Sequence, residues 1–228
     1  MKRAESQIHS FFSLFENEIR VQFIAEPLFV VAGNENAIAT AAYLLEQGYD
    51  ECGVSTGGSV RQIVKRTSLV SGTVGHHGTS VPLERLVSPS TPVWACMTRL
   101  ADHRSLFVLG DHGVDWIVTL ADLDKQPGRL LVFGLISMLE MVMLSLLRRR
   151  YENEEWLELI SKRRLAKAER LNRLRREADQ QIDLLECVQL CDKFKMCLET
   201  DDLRDALGLD EEKGRKLFKD LEDVRNNL

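Results

Sequence analysis

Several features are missing from this chain, and each absence removes a class of function. Five cysteines, an odd number at irregular spacing, form no disulfide framework and suit a reducing cytosol. The opening residues, Met1-Lys-Arg-Ala-Glu-Ser-Gln7, hold no long apolar run before a small-residue cleavage site, so no secretory leader is legible. The glycine pair in Ser55-Thr-Gly-Gly-Ser59 lacks the Gly-Lys-Ser/Thr of a phosphate loop and lies between two apolar stretches, which makes it a hairpin turn. No spacing supports a Ser/His/Asp or Cys/His grouping. His76 and His77 have no third ligand nearby, and Cys187, Cys191 and Cys197 match no zinc pattern, so no metal site is expected and these thiols read as core residues. The composition, 44% hydrophobic and 29% charged over 228 residues, is neither disordered nor collagen-like and allows one or two domains. The expectation is a cytoplasmic, non-enzymatic protein that requires no cofactor.

What is present is a repeat. Gly113-Val-Asp-Trp-Ile-Val-Thr-Leu-Ala-Asp-Leu123 aligns without a gap on Ser59-Val-Arg-Gln-Ile-Val-Lys-Arg-Thr-Ser-Leu69, 54 residues earlier. Asp111-His112-Gly113 reads as a tight turn and Val114 to Val118 as the strand after it. Thr119 then ends a strand and caps a helix, with Asp122 projecting from the same end. A hydroxyl and a carboxylate so placed suit a vicinal diol such as ribose, while an N-cap threonine with a first-turn aspartate is the structural alternative. Upstream, residues 28–54 repeat the plan of 83–110: a short apolar stretch, a cap, a helix, then a strand entering a glycine turn. Each unit is expected to be β-α-β-β-α, giving an α/β (α+β) module. Gly33-Asn-Glu-Asn36 caps the first helix, and Gly48 ends it.

These residues carry a family resemblance. The unit resembles a CBS domain, and two in tandem resemble a Bateman module, over about residues 25 to 128. The resemblance implies a regulatory fold that binds an adenosine-containing ligand such as AMP, ADP, ATP or S-adenosylmethionine. The family's ribose motif is matched by Gly113, Thr119 and Asp122. Lys65 and Ser68 stand at the corresponding hydroxyl and carboxylate positions of the first copy, so the resemblance implies at most one well-formed ribose site. His103 and Arg104, between helix and strand of the second unit, lie near the cleft of such a module. They are candidates for a ligand phosphate, with a solvated turn as the alternative.

In chain order, Ile8, Phe11, Phe12, Phe15, Ile19 and Phe23 recur at helical spacing and predict a helix over residues 6–24. It either docks on the adjacent module or contacts a second copy in a homodimer. Residues 71–80, rich in turn formers, read as the loop between the units. After Pro127-Gly128 the pattern becomes helix alone. Leu130 to Leu147 contains one charge, Glu140, in 18 residues. That is long enough to cross a membrane, but a mid-segment glutamate costs about 2.5–3.5 kcal/mol on insertion scales, so a helix buried on most sides and no membrane partner are expected. Glu140 then requires a buried partner.

Leu165, Ala168, Leu171, Leu174, Ala178, Ile182, Leu185 and Val188 form a seam that predicts long helices or an αα-hairpin. Residues 148–176 hold 11 Lys/Arg against 5 Glu, the one electrostatic sign of a polyanionic partner. Arg163, Arg170, Arg173 and Arg176 are candidate RNA or DNA contacts, or else a solvated face. The last residues, Val224-Arg225-Asn226-Asn227-Leu228, resemble the start of the Arg-Asn-x-x-x-His signature of HEPN domains. RNA cleavage would need a histidine beyond Leu228, and a longer natural protein is expected to continue there. The expected organisation is a helix over 1–25, a CBS-like module over 26–128 (repeats at about 28–69 and 83–123) and a helical region over 129–228. The expected function is sensing of an adenosine-containing ligand with signalling to the helical region. The alternative is an RNA- or nucleic-acid-interacting, HEPN-like helical effector with the repeats as scaffold or dimerisation module, and an RNA or protein partner is expected to meet the C-terminal helices.

Overall fold

The computed structural model describes residues 10, 12–13, 18–111 and 113–227, and their side chains except those of 222 and 225–227. Nine residues of the predicted helix over 6–24 lie outside the described residues, and its end is not α-helix: Arg20 bridges Pro92 and Val21–Phe23 is a 3-10 turn, with Ile19 buried and Phe23 exposed. The chain divides into two compact units, Leu14–Leu131 and a second containing Val132–Leu228.

The first unit is a mixed sheet built from two copies of one plan. The first copy runs β2 (Val30–Ala32), α1 (Ala37–Glu46), β3 (Glu51–Thr56) and β4 (Ser59–Lys65). The second runs β6 (Leu86–Val87), α2 (Val93–His103), β7 (Ser105–Gly110) and β8 (Gly113–Thr119). Parallel pairing sets Val30 beside Gly53 and Leu86 beside Phe107, positions 54 apart on β3 and β7. The antiparallel pairs carry bulges at Val54/Ser55 and Val108/Leu109, again 54 apart. The hairpin between β3 and β4 turns on Gly57 and Gly58 at φ 60° and 83°, left-handed backbone that glycine adopts without a Cβ clash. Asn36 accepts the Ala39 N–H at 3.0 Å and starts α1, and the left-handed Gly48 follows its end.

Two short strands interlock the copies. β1 (Glu26–Pro27) precedes the first copy yet pairs with β8 of the second, Glu26 beside Ile117. β5 (Thr79–Ser80) precedes the second copy and pairs with β4 of the first, Thr79 beside Ile63. The predicted loop over 71–80 therefore contains a strand. Each copy depends on the other for an edge, and Leu28, Val60, Ile63, Phe107 and Val114 form one buried cluster across both. The sheet is continuous because β4 meets β8 at Val60 and Gly113.

The expected final helix of each β-α-β-β-α unit is absent as such. After β4 the chain makes one 3-10 turn, Arg66–Ser68, and after β8 another, Leu120–Asp124. The first turn is closed by Ser68 Oγ donating to the Lys65 carbonyl at 2.7 Å, and the left-handed Gly72 soon redirects the chain. The second stops at Lys125, whose ψ of 157° is extended. A new helix, α3 (Gln126–Arg150), then starts with Pro127 in its first turn, where a missing N–H is tolerated.

The second unit packs α4 (Lys162–Glu177), α5 (Leu190–Glu199), α6 (Asp201–Ala206) and α7 (Glu211–Asn227) with most of α3 around Met143, Leu147, Trp156, Phe194, Met196 and Cys197. The predicted seam is interrupted. α4 ends before Asp179, which is left-handed at φ 59°, and Leu185–Cys187 is a 3-10 turn rather than helix. Ala168, Leu185 and Val188 are buried, while Leu171 and Leu174 are exposed. Cys187 therefore does not share a helix with Cys191 and Cys197. Burial pushes the Cys197 thiol up to about 12, as expected of an inert core thiol.

Among the described residues α3 is the one helix long and apolar enough to cross a membrane, and 33% of its most apolar window is buried. It is not buried on most sides as expected: Leu130 and Phe133 are exposed, whereas Leu131, Met143 and Leu147 are fully buried. Glu140 does have the required partner. The Lys193 ammonium, on a residue 1% exposed, lies 2.6 Å from Glu140 and 3.3 Å from the Glu186 carbonyl.

Two stability predictions follow from these contacts. A Cβ at Gly113 would lie 2.4 Å from the Val60 carbonyl oxygen, at a φ of +108°, so Gly113→Ala should lower unfolding free energy by about 2–3 kcal/mol in urea titration. Unchanged stability would show that β4 and β8 do not approach there. Glu140→Ala should cost about 2–3 kcal/mol by stranding a buried ammonium, whereas Lys193→Met, which removes the charge and keeps the volume, should stay within about 1 kcal/mol of wild type.

Candidate functional site

The strand ends of the two repeats are equivalent in sequence but differ in what they offer a ligand. At the end of β8, the Thr119 backbone N–H donates to Asp122 Oδ2 at 2.7 Å, and its hydroxyl donates to the same oxygen at 3.0 Å. Asp122 is 6% exposed, and its other oxygen lies 2.9 Å from Lys125 Nζ. Lys125 also pairs with Glu26 on β1 and donates to the Ile24 carbonyl at 2.5 Å. Burial opposes the Lys125 charge, but the hydrogen bonds it donates to Glu26 and Asp122 outweigh that and raise its pKa. The hydroxyl and carboxylate expected to share a ribose diol are thus turned on each other as a capping box. Gly113, expected beside the ligand, stands where β8 approaches β4.

At the end of β4 no capping box forms: Ser68 gives its hydroxyl proton to the Lys65 carbonyl, and the Lys65 side chain has no acidic partner among the described residues. A cleft of about 660 Å3 is lined there by Ile63, Lys65, Thr67 and Ser68. His77 and Thr79 come from the connection between repeats, Pro82, Glu84 and Arg85 from the turn before β6, and Asp102 and His103 from the end of α2. His103 is therefore brought together with Lys65 and Ser68, not with Thr119 and Asp122. Arg104 is not among the lining residues; it is exposed and caps α2 in a left-handed conformation, φ 63°. His77 Nε2 donates to the Ser71 carbonyl at 2.6 Å, which fixes that proton and leaves Nδ1 as an acceptor while the ring is neutral. The cleft offers a lysine, imidazoles and hydroxyls beside two carboxylates, Glu84 and Asp102, a mixed polar lining that suits a small molecule bearing both phosphate and hydroxyl or amine groups, and its volume falls in the range of small-molecule pockets. Among the described residues no three His, Cys, Asp or Glu side chains group as a metal site.

One wall of the cleft depends on residues that the repeat alignment did not single out. Arg85 Nη1 donates to Glu51 Oε2 at 3.1 Å, Nη2 donates to Glu51 Oε1 and to Ser105 Oγ, and Nε donates to the Ser105 carbonyl at 3.2 Å. Ser105 Oγ in turn donates to Glu51 Oε1. Both charged side chains are about nine-tenths buried, and the guanidinium lies 4.6 Å from the centre of the Phe107 ring. Glu51 and Ser105 begin β3 and β7, 54 residues apart, so they hold the same position in the two copies. That spacing was the available signal, but Glu and Ser do not resemble each other.

In the second unit, Arg163, Arg170, Arg173 and Arg176 all lie exposed on α4. Arg176 also lines a cleft of about 310 Å3 with Asp179, Gln180, Gln181, Ile182 and Asp183. Val224 is 41% exposed. The rest of the HEPN-like signature, in its side chains, lies outside the described residues.

The fold and the cleft together define a two-repeat α/β module with a ligand-sized site beside the junction of its copies. No protein-family model matches the chain, and no curated protein matches it. Solved structures that match include CBS-pair proteins. CBSX2 of Arabidopsis thaliana is 20% identical over 45% of this chain and 89% of its own, with a TM-score of 0.40, and the same protein is also known in complex with AMP. CbpB in complex with c-di-AMP is 14% identical over 59% and 95%, with a TM-score of 0.44. The CBS-domain pair of MJ0100 with 5′-methylthioadenosine and S-adenosyl-L-methionine is 16% identical over 46% and 95%, with a TM-score of 0.39.

The Arg85 contact is directly testable. Arg85→Ala leaves the Glu51 carboxylate buried without its cation and should cost about 3 kcal/mol of unfolding free energy. Arg85→Lys should recover only part of that loss, because an ammonium cannot hold two carboxylate oxygens, the Ser105 carbonyl and the Phe107 face together.

Proposed function

We propose that the first unit is a regulatory module that binds an adenosine-containing nucleotide in the cleft at Lys65, Ser68 and His103. The observation that carries this reading is the cleft itself, where both repeats and the connection between them supply groups to one pocket. Lys65 provides a charge for phosphate, Thr67, Ser68 and Thr79 provide hydroxyls for a ribose, and Ile63 and Pro82 provide apolar surface for a base. His103 adds an imidazole, which offers one nitrogen donor and one acceptor. Binding and regulation, rather than catalysis, are the proposed role.

Signalling to the helical region is part of the same proposal. α3 begins one residue after Lys125, which ties Asp122 to β1, so a change in how the repeats meet reaches the first turn of α3 through a short chain of contacts. A cytoplasmic homodimer completes the reading, supported by five free cysteines and by the exposed Leu130 and Phe133.

A thermal-shift panel of AMP, ADP, ATP, S-adenosylmethionine and cyclic di-AMP tests the assignment. A true ligand at 100 times its dissociation constant should stabilise the protein by about 2.7 kcal/mol. Lys65→Ala or His103→Ala should weaken binding about tenfold, a loss of about 1.4 kcal/mol. Asp122→Ala should lower the melting temperature of the free protein by removing the capping box, yet leave the ligand-induced shift in place. If Asp122→Ala alone abolishes the shift, the ligand sits at the β8 end; if no member of the panel shifts the wild type, the nucleotide reading fails.

A further inference from the structure

We propose that the outward face of α4 binds the phosphate backbone of a nucleic acid, independently of the nucleotide cleft. The helix carries eight Lys/Arg and two Glu in 16 residues. One of the eight, Arg164, is engaged within the protein, lying 3.5 Å from Asp192 and donating to Gln189. The other seven, from Lys162 to Arg176, make no side-chain hydrogen bond or ion pair among the described residues. Elsewhere in the same unit cations are commonly neutralised: Arg148 by Asp183 and Glu186, Arg150 by Asp202, Lys193 by Glu140, Arg204 by Asp201 and Arg215 by Glu211. The unneutralised charge is therefore concentrated on one element.

The rotation of α4 is fixed by its inner face. Ala168 and Asn172 are buried, and Asn172 Nδ2 donates to the Ile182 carbonyl at 3.1 Å. Arg163, Lys167 and Arg170 then follow one another at four- and three-residue steps along the exposed side, with Arg173 and Arg176 continuing the run. Like charges at these spacings repel and weaken a helix, and an external polyanion relieves that repulsion. At about 1.5 Å per residue, Arg163 to Arg176 covers about 20 Å, enough to meet several successive phosphates.

Two features favour nucleic acid over a lipid surface. A helix that lies in a membrane interface needs a continuous apolar face free to enter the lipid, whereas on α4 Ala168 is turned inward and the exposed Leu171 and Leu174 are interleaved with Arg170, Arg173 and Arg175. The exposed cations are also mostly arginines, whose planar donor forks match phosphate oxygens in pairs.

Fluorescence anisotropy on the full chain tests this, with a labelled 20-nucleotide single-stranded RNA, the same DNA sequence, and a DNA duplex as probes. Binding is expected at 50 mM salt. With about four phosphates engaged on a single strand, the log–log salt slope should be about −3, so affinity falls about 50-fold by 200 mM. The triple variant Arg163→Gln/Arg170→Gln/Arg173→Gln should bind at least tenfold more weakly with unchanged circular dichroism. Lys213→Gln/Arg215→Gln on α7 should bind within about twofold of wild type. If the triple variant misfolds, Arg170→Gln alone should still reduce the single-strand slope by about 0.7. Preference for RNA or for DNA identifies the natural source, and either supports the surface. Absence of binding to all probes at 50 mM salt, or binding that the α4 substitutions leave unchanged, overturns the proposal. Substitution-sensitive binding to phosphatidylserine vesicles without nucleic-acid binding overturns it equally.

Discussion

The contact on which the first unit depends is the buried ion pair between Arg85 and Glu51, closed by Ser105. Two charges removed from water are tolerated only when their hydrogen-bonding capacity is used, and here the guanidinium engages two carboxylate oxygens, a carbonyl and a hydroxyl. Because Glu51 and Ser105 begin equivalent strands, the pair joins the copies where their symmetry brings them together. The exchanged strands β1 and β5 and the tight passage of Gly113 past Val60 add to that joint. The cleft is a by-product of this construction. Arg85 forms part of its wall, and the β4 end, carrying Lys65 and Ser68 in place of a closed capping box, borders it.

The symmetry of the backbone is thus used asymmetrically by the side chains. At the β8 end, Thr119, Asp122, Lys125 and Glu26 satisfy one another and anchor a strand. At the β4 end the same backbone turn presents a lysine and a serine to a pocket. One copy closes on itself, and the other borders the cleft. In the second unit the division of labour is between charge and core: outside α4, acidic partners neutralise most of the described cations, α4 keeps its positive face, and Lys193 is a charge taken inside, held by Glu140.

Much of the fold was legible in the sequence. The gapless 54-residue alignment located both copies, the asparagine cap marked α1, the double glycine marked the hairpin, and the lone glutamate of the long apolar helix required a partner. Other elements carried no periodic signal. β1 and β5 are two residues each, too short for an alternating pattern, and their exchange depends on tertiary pairing. The helices expected to end each repeat were displaced by local stops: Gly72 after the first, and extended Lys125 followed by Pro127 after the second. Of the candidate residues, His103 lines the cleft, while Thr119 and Asp122 hydrogen-bond each other at the opposite copy. Sequence spacing brought that pair together, but Lys125 and Glu26, which complete its satisfaction, come from outside the motif. The apolar seam from Leu165 misled because three- and four-residue steps continue across Asp179, where the backbone turns left-handed and the helix is already over.

Hydrogen–deuterium exchange of the full chain, with and without saturating AMP, tests the central claim most directly. The account predicts slower exchange on binding at the β4 end and the turn before β6, residues 63–68 and 79–85, and at 102–105, with residues 119–125 unchanged. Protection confined to 119–125, with the β4 end unaffected, would contradict it and move the nucleotide to the other copy.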